Sequence, residues 1–287
     1  MTTPPDPTPP PDDPSEGARE LELARERERA ALDRLSRVHG QHELQAALLA
    51  LLLPRGSKRA RAAWRLETED TVNAQALYDD AACLSADTRL PCFEWLLVRM
   101  AAAPLAERKA LLESTRRVTS ARGKIRPIDR LHWLVMRQRL GEPAFFGPRS
   151  GADGDISQLH ESAVMAIASY TAFLARMVPD ADSAVAGAAW YDTVLAPWQH
   201  RADVPPCVAP TIDGLVHALQ GLRALPWMQR PVVVRGWVGA AVKHSRHGQL
   251  DDTAADALRL SCTLLDSPLP PDLAAHFVET LERPTPG

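Results

Sequence analysis

Residues 104–140 read PLAERKALLESTRRVTSARGKIRPIDRLHWLVMRQRL, and residues 226–265 read PWMQRPVVVRGWVGAAVKHSRHGQLDDTAADALRLSCTLL. Each stretch opens on a proline, which the first turn of a helix accepts because the N–H there would be unpaired anyway. Pro104-Leu-Ala-Glu-Arg108 is answered by Pro226-Trp-Met-Gln-Arg230, and a helical pattern then runs to a glycine, Gly123 or Gly248. From that glycine the copies align without a gap: Ile125 with Leu250, Trp133 with Leu258, Leu140 with Leu265, and Gly141 with Asp266. In the second copy Ala254, Ala257, Leu258, Ser261, Cys262 and Leu265 make a clean helical stripe. The expectation is a pair of equivalent helical hairpins. Gly123 and Gly248 are their structural turn residues, because the left-handed conformation that ends a helix costs glycine least.

The same periodicity extends outward. Ser15 is read as the N-cap of a charged helix over Glu16 to Val38, whose apolar face is Leu21, Ala24, Ala31, Leu35 and Val38. Docking on its own domain is the expected use of that face, and a partner-binding seam is the alternative. Glu43 to Leu53 is nearly all apolar, reads as a core helix and stops at Pro54. Helices are also expected at 57–66, 70–85, 90–100, 104–120, 127–140, 159–178, 183–198, 211–224, 231–246, 251–265 and 271–282. Nowhere is there sustained period-two alternation, so the fold class is all-α, built on duplicated helical hairpins. Residues 1–15 are read as a disordered, proline-rich tail, 16–140 as a first helical domain, 141–160 as a glycine- and proline-bearing linker, and 161–287 as a second helical domain.

In the 287 residues, apolar types make up 45%, enough for a sizeable core. With 33 basic and 36 acidic residues, a net charge of −3, there is no electrostatic case for nucleic acid or an anionic membrane surface. Arginine outnumbers lysine and alanine is abundant, which points to a GC-rich bacterial genome. Cys83, Cys92, Cys207 and Cys262 have neither zinc-knuckle nor redox spacing; each has apolar neighbours and is expected to be a buried, reduced thiol in a cytoplasmic setting. The start lacks the basic and apolar regions of a signal peptide. The longest uncharged helical run, Ser162 to Ala175, falls short of the roughly 20 residues that span a bilayer.

The helix–glycine–apolar–helix unit resembles the tellurite-resistance TerB-like helical module. In detail, HELQAALLALLLP (42–54), LRALPWMQRPVVV (222–234) and LRLSCTLLDSPLPP (258–271) resemble the C-terminal region of membrane zinc metalloproteases of the HtpX and CAAX-prenyl-protease type. The resemblance implies a tandem helical module that accompanies a peptidase domain, here absent. TerB-like modules place an aspartate before the glycine and an acid about six positions later. Here Arg122 and His247 precede the glycines; Asp129 keeps the later acid, and Ala254 replaces it in the second copy.

Catalytic arrangements are not matched. A zinc protease needs His-Glu-x-x-His on one helix, and His160-Glu161-Ser-Ala-Val164 puts valine at the second ligand. His39-Gly-Gln-His42-Glu43 has the wrong order. His244 and His247 stand among Lys243 and Arg246 as helix C-terminal residues. Asp251-Asp252 read as a helix N-cap, while Asp79-Asp80 and Asp180 with Asp182 read as solvated pairs. Gly151 to Asp155 lacks the later ligands of a calcium loop. The basic run Arg55 to Arg65 reads as a solvated helix face, Trp95, Trp133 and Trp237 as core, and Trp198 and Trp227 as seam covers at helix ends. No catalytic, cofactor-binding or metal-binding residue is expected. The functional expectation is a non-catalytic interaction or regulatory module with a protein partner, such as a membrane metalloprotease. The alternative is a stress-associated TerB-like protein that senses a metal or small ligand.

Overall fold

A computed structural model describes residues 14–141, 159–200 and 203–278. The expected tail up to Asp13 and nearly all of the expected linker lie outside the described residues. Among those described there are thirteen α-helices and no strand: the protein is all-α.

The helices of the first half are α1 (Pro14–Ser36), α2 (Gln41–Leu51), α3 (Lys58–Glu67), α4 (Ala74–Cys83), α5 (Ala86–Met100), α6 (Leu105–Ser120) and α7 (Pro127–Leu140). Those of the second are α8 (Glu161–Leu174), α9 (Ala184–Leu195), α10 (Ile212–Ala224), α11 (Gln229–His244), α12 (Asp252–Leu265) and the short α13 (Pro271–Ala274). α1 begins at Pro14, so Ser15 lies within the helix rather than capping it; proline's fixed φ and missing N–H suit the first helical position. The last helix is shorter than expected, ending at Ala274 before a turn that buries Phe277.

α2 and α8 are the centres of their halves, as their compositions dictate. α2 buries seven residues from Leu44 to Leu51 and is flanked by α3, α4, α5 and α6; α8 buries nine and is flanked by α9 and α10. α9 approaches α8 at Gly187, where a Cβ would stand 1.9 Å from the Ala175 carbonyl oxygen. α7 packs on α12, and the apolar core continues across that contact from Ala31 to Phe277.

The largest buried rings are Trp64, Trp190 and Trp237. Trp64 donates to the Ala46 carbonyl at 3.0 Å, Trp190 to the Trp237 carbonyl at 3.1 Å, and Trp237 to the Thr171 hydroxyl at 2.9 Å, so no indole N–H is buried at a loss. Of the expected core tryptophans only Trp237 is fully buried. Trp95 and Trp133 are half-buried, and Trp95 lines a surface cleft. Trp227 is 67% exposed and covers no seam.

α5 starts a turn earlier than its apolar run and contains Pro91. A proline there removes the N–H that would bond to the Asp87 carbonyl. That carbonyl instead accepts from the backbone N–H of Val278 at 3.1 Å, so the C-terminal segment repairs the helix.

Candidate functional site

The two glycine turns come first, because the sequence singled them out. Gly123 has φ +85° and Gly248 φ +70°, each between the two helices of its hairpin (α6–α7 and α11–α12). Their flanks differ. In the first copy Arg122 bonds to Asp129 at 3.1 Å, and Asp129 also accepts from the Arg126 N–H at 2.9 Å and its guanidinium at 3.1 Å. The basic residue before the glycine and the acid after it thus neutralise each other. In the second copy His247 itself takes a positive φ, 59°, and Ala254 is buried. Ile125 is exposed where Leu250 is buried. Asp266, not Gly141, has the left-handed conformation at the hairpin's far end.

The remaining expected groups are dispersed. His160 is the N-cap of α8, where its ring nitrogen accepts from the Ser162 N–H at 3.3 Å. His244 bonds to the Thr193 hydroxyl at 2.7 Å, and Asp251 caps α12 through the Thr253 N–H at 3.0 Å. Asp180 accepts from the Asp182 N–H within a turn. Asp80, by contrast, is not a solvated acid. It is buried and chelated by Arg34 of α1, a partner 46 residues away. Cys92 and Cys262 are buried, and burial pushes both thiols up to about 12, which leaves them unreactive; Cys83 is exposed and Cys207 half-buried, against expectation. No group of three or more His, Cys, Asp or Glu placed to hold a metal occurs among the described residues.

Two further features carry more, the first weighed from the sequence and the second not. The first is α1. Its second half docks through Ala31, Leu32 and Leu35, and Glu28 clasps the Ser85 and Thr88 hydroxyls and the Ser85 N–H. The first half does not dock: residues 17–27 are all exposed, with Leu21 at 54% and Leu23 at 51%.

The second is the seam between the halves. Glu94 of α5 accepts from the buried Arg259 at 2.8 Å and from the Thr263 hydroxyl, fastening α5 to α12 beside a cleft of about 270 Å³. A neighbouring cleft of about 190 Å³ lies where the first turns of α7 and α12 meet α5 and the end of α2. Its wall is Leu52, Leu53, Leu90, Phe93 and Ile128, and its polar groups are Arg55, Arg89, Arg126, Asp129, His132, Thr253 and Asp256.

Most of these polar groups are engaged. Arg89 donates to the carbonyls of Ala50, Leu51, Leu53 and Ala81, which include carbonyls that the end of α2 leaves unpaired. Arg126 holds Asp129, and Arg55 donates to the Leu84 carbonyl at 2.6 Å. His132 bonds through Nδ1 to the Ile128 carbonyl at 3.0 Å, leaving Nε2 free to accept; burial lowers its pKa to about 4, so the ring is neutral. The Asp256 carboxylate makes no hydrogen bond or ion pair among the described residues. Burial and the nearby Asp252 push it up to about 7, against the pull of Arg259 and Arg89.

A raised carboxyl pKa makes the folded state hold a proton that the unfolded chain has lost, so this contribution to stability falls as pH rises from about 4 to 7. His132, with its lowered pKa, acts in the opposite sense between about 6.5 and 4. Asp256→Asn is therefore expected to stabilise the protein above pH 7, by about 2 kcal/mol. That is half of what a rise from 3.8 to about 7 implies, since the carboxylate opens to the cleft. The gain should vanish near pH 4, and urea melts at several pH values measure it.

No described helix is long and apolar enough to cross a membrane. Comparison with protein-family models, with curated proteins and with solved structures finds no match to the chain.

Proposed function

We propose that the chain is a non-catalytic helical interaction module, and that the projecting first half of α1 is the element that takes its protein partner. The exposure of residues 17–27, with Leu21 and Leu23 uncovered, carries this reading. A lone helical segment of fewer than about 12 residues is marginal in water, so burying these leucines against a partner helix or groove stabilises the arm. Alternating Arg and Glu along the arm would set the register of that pairing. The setting, a cytoplasmic accessory module of a bacterial membrane zinc metalloprotease, rests on the likeness of segments 42–54, 222–234 and 258–271 to that family's C-terminal region.

Because α1 docks only from Glu28 onward, removing residues 1–27 is expected to leave the melting temperature within about 2 °C of the full chain while abolishing partner capture. Loss of the fold, or undiminished capture, would contradict the proposal.

A further inference from the structure

We infer that the cleft between α2, α5, α7 and α12 is a binding site for a small zwitterion, an α-amino acid with an apolar side chain. The inference is independent of the α1 arm. The lining offers two acceptors, the Asp256 carboxylate and Nε2 of His132, whose Nδ1 is fixed on the Ile128 carbonyl, while Arg89 beside them spends its N–H groups on four carbonyls. Such a pair fits an ammonium group. The rim offers donors without enough acceptors. Arg55 and Arg126 are both exposed at its edge, and each guanidinium has five N–H groups, of which the bonds to the Leu84 carbonyl and to Asp129 use only part. Two fork-shaped cations beside the first turns of α7 and α12 fit a carboxylate.

The charges support a zwitterion over either ion alone. Three arginines and two aspartates line the cleft, so a bare cation would meet a net positive wall, and a bare anion would leave Asp256 unpaired. Leu53, Leu90 and Phe93 in the same lining form an apolar wall for the side chain. The volume of about 190 Å³ suits a molecule of this size rather than a nucleotide or a peptide.

The test is calorimetric titration of the full chain with L-leucine, with isoamylamine (the cation alone) and with 4-methylpentanoate (the anion alone). The expected result is that leucine binds at least about tenfold more tightly than either analogue. Asp256→Asn and, separately, the exposed Arg55→Gln should each weaken leucine by about tenfold while leaving the circular dichroism unchanged. An ammonium on Asp256 also draws its proton off, in a setting where Asp252, Arg259, Arg89 and Glu94 are its other charged neighbours. Leucine binding should therefore release protons near pH 7. Three results would each overturn the inference: no heat with leucine or phenylalanine at millimolar concentration, 4-methylpentanoate binding as tightly as leucine, or undiminished binding by Asp256→Asn.

Discussion

Replacing Arg89 by methionine is expected to cost about 4 kcal/mol of stability, a fall of roughly 10 °C in melting temperature for a chain of this size. The side chain reaches from α5 to the end of α2 and to α4, donating to Leu51 at 2.9 Å, Ala50 at 3.0 Å, Leu53 at 3.1 Å and Ala81 at 2.6 Å. Burial lowers its pKa to about 10, still well above neutrality, so it stays charged and its planar fork serves several carbonyls at once. Methionine fills much of the volume and satisfies none of them; Ala50 keeps the Leu53 N–H, but the Leu51, Leu53 and Ala81 carbonyls lose their donor, at about 1–3 kcal/mol each. Lysine should recover only part of the loss, because a point donor cannot span carbonyls on two helices. Urea denaturation of the three proteins measures this; a loss below about 1 kcal/mol for methionine would contradict the account.

Gly187→Ala is expected to cost about 3 kcal/mol, and Gly187→Val more. The new Cβ would sit 1.9 Å from the Ala175 carbonyl oxygen, a backbone atom at the end of α8, so α9 as a whole must move. Gly236 and Gly239 provide the internal control. Both lie in α11 with nothing within 4 Å of an added Cβ, and alanine there should stabilise the helix by about 1 kcal/mol. The same chemical change is thus expected to have opposite signs on two helices of one half. Equal effects at Gly187 and Gly239 would show that close approach is not what fixes the α8–α9 packing.

What could be read from the sequence follows the distance between interacting residues. The helices were legible because an apolar face repeats locally, and so were the N-cap at Asp251 and the turns at Gly123 and Gly248. The start of α5 was not legible, because the carbonyl that Pro91 leaves without a helical donor is met by Val278, far along the chain. Asp80 looked like a solvated acid because nothing near it in sequence announces Arg34. The cleft was illegible for the same reason. His132 and Asp256 line one cleft only because α7 packs on α12, and each alone looks like an ordinary polar residue on a helix. α1 shows a further limit. Leu21, Ala24, Ala31, Leu35 and Val38 make one stripe in sequence, yet only the last three dock, since the body beneath the helix ends near Glu28.

The most direct test of the interaction reading is site-specific photo-crosslinking in cells of the source organism. A crosslinking residue replaces Leu23 on the arm in one protein and Lys109 on the body in another. The account predicts one discrete protein adduct from position 23, lost when Leu21 is also changed to Glu, and none of the same mass from position 109. No adduct at position 23, or the same adduct from both positions, would contradict it.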